Sequence, residues 1–128
     1  MSEQASHQEV VESTAATEDQ MRPQPVPVNM YEASGALVIV APMPAVTASD
    51  VKVELRPGCL RFWAHVRSAG PREYLIHEWD YGGYEREIDL PEGYGGGVEA
   101  SMANGQIAIR VLRGEPADEL ITIEPKEK

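Results

Sequence analysis

The strongest constraint on this chain is an alternation of apolar and polar side chains that stops at a turn signal every few residues. Val51, Val53 and Leu55 alternate with Lys52, Glu54 and Arg56; Pro57-Gly58 intervenes; then Leu60, Phe62 and Ala64 repeat the pattern. Successive side chains of a strand point to opposite faces, so this stretch predicts a hairpin with one face buried. Tyr84, Arg86 and Ile88 likewise share a face against Glu85, Glu87 and Asp89, and Leu90-Pro91 ends the run. Val98, Ala100 and Met102 lead through Asn104-Gly105 into Ile107, Ile109 and Val111. Asn-Gly supplies the positive φ angles of a tight hairpin turn. Upstream, Val28 and Met30 alternate with polar neighbours, Ser34-Gly35 follows, and Ala36–Ala41 reads as a strand apolar on both faces until Pro42 and Pro44 stop it. A short burst at Tyr74–His77 adds one more strand, giving about eight in all and an all-β antiparallel β-sandwich over residues 28–112.

Residues 1–27 follow a different grammar. Glu3, Glu9, Glu12, Glu18 and Asp19 face a single cation, Arg22; there is no aromatic residue, and the segment ends in Arg22-Pro23-Gln24-Pro25-Val26-Pro27. Such a stretch buries too little apolar surface to offset its conformational entropy, so it is expected to be a disordered acidic arm. Residues 113–128 form a polar C-terminal extension carrying Ile121-Thr122-Ile123. Two isoleucines at spacing two fall on one face of an extended segment and dock together while Thr122 faces away. Burying both is worth roughly 3 to 6 kcal/mol, against about 1 to 2 kcal/mol for fixing each tail residue, so the contact is expected to be exchangeable.

A formal net charge of −10 on 128 residues argues against nucleic acid or an anionic membrane surface as partner. No apolar run approaches the ~20 residues of a spanning helix, and the acidic N-terminus lacks the layout of a secretory signal, which places the expectation in the cytoplasm. Cys59 is the only cysteine and has no internal disulfide partner. His7, His65 and His77 are the only histidines. Cys59 and His65 on one strand stand about 20 Å apart, beyond proton-transfer reach, and no Cys or His spacing supplies a metal site. The glycines at Gly82-Gly83 and Gly95-Gly96-Gly97 precede neither a Lys-Ser/Thr pair nor a helix, so they read as turns rather than a phosphate cradle. The aromatics Trp79, Tyr81 and Tyr84 read as packing. No enzyme, cofactor or metal is expected.

Several of these pieces, in this order, resemble the alpha-crystallin domain of the small heat shock protein family, bacterial type. Ala100-Ser101-Met102-Ala103-Asn104-Gly105-Gln106-Ile107 resembles the A-x-x-x-N-G-x-L/I signature; Tyr84–Pro91 matches an aromatic-x-Arg-x-x-x-Leu-Pro stretch; Ala41-Pro42-Met43-Pro44-Ala45-Val46 is similar to a segment usually written with Leu-Pro-Gly. Ile121-Thr122-Ile123 stands where the family carries an I-x-I anchor. The resemblance implies an immunoglobulin-like β-sandwich, a tail docked in a neighbouring subunit's groove lined by Val53, Leu55, Val98 and Ala100, and a dimer interface at Tyr74, Leu75, Ile76, His77 and Arg86. It further implies a strand lent to the partner's sheet by Tyr74–Glu78, and an intersubunit ion pair for Arg86. The implied function is ATP-independent holding of partly unfolded client proteins by a homo-dimer that assembles into larger oligomers. Three features depart from the family: the short arm without aromatics, Ala45 in place of glycine, and Gly96, which is expected to leave the groove shallow at one end. The arm also admits another role, a dedicated assembly adaptor on the same fold, for instance for gas vesicles.

Overall fold

The computed structural model describes residues 24–65, 73–78, 83–116 and 118–128. The expectations for residues 1–23, for the 66–72 loop, and for Trp79, Tyr81 and Gly82 lie outside them. Among the described residues ten strands form two five-stranded sheets: β1 Gln24–Pro25, β2 Asn29–Ala33, β3 Ala36–Pro42, β4 Val51–Arg56, β5 Cys59–Ala64, β6 Tyr84–Asp89, β7 Tyr94–Ala103, β8 Gln106–Arg113, β9 Ile121–Ile123 and β10 Lys126–Glu127. One sheet runs β1-β6-β5-β4-β9, the other β10-β7-β8-β3-β2, and a 3-10 turn at Ala48–Asp50 leads into β4.

The turns are the ones their residues demand. Ser34 and Gly35 (φ 52° and 75°) and Asn104 and Gly105 (φ 54° and 74°) both take two consecutive positive φ angles, the mirror-image turn whose twist matches that of paired strands. Registers follow directly: Ala33 faces Ala36 on β2 and β3, and Ala103 faces Gln106 on β7 and β8. Pro57-Gly58, with Gly58 at φ 77°, joins β4 to β5 and sets Val53 opposite Phe62.

Between the sheets lies the core. Leu37, Ile39 and Ala41 of β3 and Ile107, Ile109 and Val111 of β8 meet Val51, Val53, Leu55, Leu60, Phe62 and Ala64 of the other sheet, all buried. Each face was legible in the alternation. The outer face of β3 differs from the expected double burial: Val38 and Val40 are half-buried, because nothing from the described residues layers over that side of the sheet. Tyr84 is buried as expected and its hydroxyl donates to the Pro44 carbonyl at 2.9 Å, tying β6 to the loop after β3. That loop holds Ala45 at φ 68°, a left-handed conformation glycine adopts at lower cost.

One strand of the sequence reading is not formed within a single chain, and one boundary needs correction. Tyr74–His77 form no strand; Tyr74, Leu75 and Ile76 are exposed, and the Tyr74 and His77 rings stack at 4.3 Å. A strand needs a ladder partner for its N–H and C=O groups, and within one chain this segment pairs with neither sheet. The boundary is that between arm and sandwich. Gln24–Pro25, assigned to the arm, run parallel to Tyr84 and Glu85 as an edge strand, and the adjoining Val26 is buried in the core. Pro25, with no N–H to contribute, is tolerated at an edge.

Candidate functional site

The site lies where β4 and β7, edge strands of the two sheets but for the tail, approach each other. Val53 and Leu55 of β4 point inward and are fully buried; Val98 and Ala100 of β7 are half-buried against the same core. Across this edge runs the C-terminal tail. β9 pairs antiparallel with β4, setting Ile121 opposite Leu55, Thr122 opposite Glu54 and Ile123 opposite Val53. Both isoleucines pack against the core while remaining half-buried, and Thr122 is exposed. The four groove residues and the two anchors named from sequence are therefore brought together, in a single chain. The resemblance assigned this groove to a neighbour; here the tail sits on its own β4, which the polar stretch between Arg113 and Ile121 is long enough to allow at about 3.3 Å per residue.

Beyond Ile123 the tail makes a second pairing that no sequence pattern marks. Pro125 is buried at the sandwich edge, and β10 then pairs parallel with β7, placing Lys126 opposite Ser101 and Glu127 opposite Met102. The Lys128 amide donates to the Met102 carbonyl at 3.0 Å. Glu127 accepts from the Ala48 amide at 3.4 Å, and Lys52 pairs with Glu124. Eight residues thus add one strand to each sheet and close both exposed edges on this side. An uncovered edge offers unpaired N–H and C=O groups to any extended chain, so the closure decides what the sandwich can bind. A two-residue strand made of Lys and Glu has no hydrophobic signature; its position comes only from the ladder.

Glu54 shows the effect on electrostatics. Its place in the alternation put it in solvent, but with Thr122 beside it only 7 % of its surface is exposed, and Arg56 holds its carboxylate at 2.6 Å. The glycines of β7 also resolve. A Cβ on Gly96 would stand 2.4 Å from the Arg113 carbonyl oxygen, so glycine there permits close approach of β7 to the end of β8, where the register shifts between Tyr94 and Val98.

Arg86 lies opposite Phe62, half-buried, and its Nη1 donates to the Val26 carbonyl at 3.0 Å. In one chain its partner is a backbone oxygen of the N-terminal edge. Tyr74, Leu75, Ile76 and His77 are exposed. Cys59 donates to Glu87 at 3.1 Å; burial first, then that carboxylate, pushes the thiol up to about 11. His65 is exposed just past the end of β5. Among the described residues no group of three or more His, Cys, Asp or Glu side chains is arranged to hold a metal ion, and no helix is long and apolar enough to cross a membrane.

A model of the Hsp20/alpha crystallin family matches residues 29–125, from the start of β2 through the tail anchor. The chain belongs to this family. No curated protein matches the sequence. Among solved structures, hspA from Xanthomonas axonopodis is 24 % identical with a TM-score of 0.63, over 73 % of this chain and 98 % of that one. A small heat-shock protein from Xylella fastidiosa, described as having a distinct high order structure, is 21 % identical with a TM-score of 0.61, over 72 % and 88 %. The Del-C4 mutant of hsp14.1 from Sulfolobus solfatataricus P2 is 21 % identical with a TM-score of 0.63, over 88 % and 100 %. At these identities the likeness is one of fold: this member of the Hsp20/alpha crystallin family shares the sandwich with bacterial and archaeal small heat shock proteins.

Proposed function

We propose that this Hsp20/alpha crystallin protein is an ATP-independent holdase of the cytoplasm, which binds partly unfolded proteins and keeps them from aggregating. The observation that carries the proposal is the shallow seat of Ile121 and Ile123 on β4: an apolar edge closed by a tail that is only half-buried. Each half-buried isoleucine contributes about 1 kcal/mol, while each of the eight tail residues costs about 1 to 2 kcal/mol to order, so the two ladders and the Lys52–Glu124 pair hold the tail by a small margin and it exchanges. When it leaves, Val53, Leu55, Val98 and Ala100 and the free β4 edge are offered to an unfolded chain, which presents the same extended backbone and apolar side chains. Holding such a chain withdraws it from aggregation by mass action and needs no catalytic group, cofactor or metal.

The same exchange builds oligomers. A tail released from its own β4 docks on a neighbour's through identical pairing, and exposed Tyr74, Leu75, Ile76 and His77 supply a strand to a partner's sheet, with Arg86 at that dimer interface. The partners are client proteins and further copies of the chain, not nucleic acid or membrane, as the net charge of −10 favours. The test is light scattering of a heat-labile client warmed alone and with equimolar protein, without nucleotide. Suppressed scattering supports the holdase; unchanged scattering, together with one specific partner recovered by affinity capture, replaces it with the dedicated adaptor.

A further inference from the structure

The cations of the two sheets are nearly all engaged. Lys52 pairs with Glu124, Arg56 with Glu54, Arg61 with Glu85 and Arg110 with Glu99, while Arg86 is bonded to Val26. Lys126 and Lys128 have no ion pair among the described residues. Both line a groove of about 730 Å³ that runs from the tail seat at Val98, Ala100 and Ile123 onto the outer face of the β10-β7-β8-β3-β2 sheet. Its apolar floor comes from Tyr31, Val38 and Ala108, and Arg110 joins the two lysines at its side. Tyr31 lies directly opposite Val38 in the ladder and is exposed, so the floor is open to an occupant. Glu99 and Glu124 also line the groove, but each is already bound to a cation, and Glu127 between the two lysines accepts from the Ala48 amide, so neither lysine has an ion-pair partner among the described residues.

We propose that this groove seats the chain's own N-terminal arm between Glu9 and Asp19. That stretch offers the complementary chemistry: Glu9, Glu12, Glu18 and Asp19 for the lysines, and Val10-Val11 for the floor. The field favours it too. The chain carries −10, of which the arm holds five acids against one arginine, so the rest of the molecule is also net negative and repels the arm except where unpaired cations cluster. Reach is not limiting. The arm joins the sandwich at Gln24, five residues ahead of β2, and Tyr31 of β2 opens the groove. Glu12 lies twelve residues before Gln24, about 40 Å of extended chain, against roughly 19 Å for the width of five strands. The cations at the groove belong to the residues that close the β7 edge, so arm and tail share one structure: loosening the tail also frees the arm.

The test uses the full chain treated with a carbodiimide, which joins a lysine to a carboxylate only when the two are in contact. The expected products are amide links from Lys126 or Lys128 to Glu9, Glu12, Glu18 or Asp19, falling at least about fivefold from about 10 mM to about 500 mM salt, as screening requires. In parallel, cleavage after the arm glutamates by a glutamate-specific protease is expected to rise at least about threefold in K126E/K128E, and to stay at the wild-type rate in K126R/K128R, which keeps the charge. Links from these lysines to other carboxylates only, or equal cleavage in all three proteins, overturns the proposal. In a mixture of isotopically light and heavy protein, links within one isotope class support the same-chain seat, and links found only between classes overturn it in favour of a second copy's arm.

Discussion

Ile123 lies directly opposite Val53, two ladder positions from the pairing of Ile121 with Leu55, so both anchors enter the β4 groove on one face of the tail. Replacing both with glycine removes that face while leaving a backbone able to pair. The expected result is a loss of roughly 1.5 to 3 kcal/mol in equilibrium stability and an altered size distribution in multi-angle light scattering. A variant with wild-type stability and size would show that the tail is not an anchor.

Ala45 at φ 68° is a local cost the fold carries at the turn before the 3-10 segment. Ala45→Gly relieves a left-handed strain of about 1 to 2 kcal/mol and returns part of it through the greater freedom of glycine in the unfolded chain. The net expectation is a gain of about 0.5 to 1 kcal/mol, read as a higher urea midpoint at unchanged slope. A lower midpoint would contradict it.

Cys59 is held protonated, its pKa raised from 9.0 to about 11 by burial and by Glu87. Alkylation depends on the thiolate, so at pH 8 the folded protein is expected to react with iodoacetamide roughly two orders of magnitude more slowly than a free thiol. Because the folded pKa lies above the unfolded one, the stability this thiol contributes is present below pH 9.0 and is lost as pH rises through about 11. Glu87→Gln removes the facing charge and is expected to speed alkylation; equal rates in both proteins would rule out the carboxylate as a cause.

Arg86→Gly leaves the Val26 carbonyl without its 3.0 Å donor and frees the N-terminal edge. The expected loss is about 1 to 2 kcal/mol at concentrations where the chain is monomeric, seen in urea unfolding. If Arg86 also serves the dimer interface, sedimentation velocity shows a weaker dimer beyond this intrachain effect; unchanged dissociation rejects that second role.

The sandwich was legible because alternation and turn residues agree. Val51, Val53 and Leu55 are buried with Leu60, Phe62 and Ala64, and Ser34-Gly35 and Asn104-Gly105 adopt the turns their residues favour. What escaped reading depends on partners distant in sequence. Glu54 is buried because Thr122 comes to lie beside it; β10 exists because β7 offers an edge to Lys126 and Glu127; Tyr74–His77 carry a strand's composition yet join neither sheet in one chain. Gly96 is expected from sequence to leave the groove shallow at one end; that its missing side chain also lets β7 pass the Arg113 carbonyl depends on a residue 17 positions away. In each case the local pattern was right about chemistry and silent about which surface would meet it.

The central claim, that opening of the tail groove enables client holding, is tested most directly by locking it. Glu54 and Thr122 are cross-strand neighbours, close enough for a disulfide, so E54C/T122C in a Cys59→Ser background fastens the tail to β4 under oxidising conditions. Suppression of client light scattering is then compared before and after reduction. The account predicts little protection from the oxidised protein and recovery on reduction; equal protection in both states would contradict it.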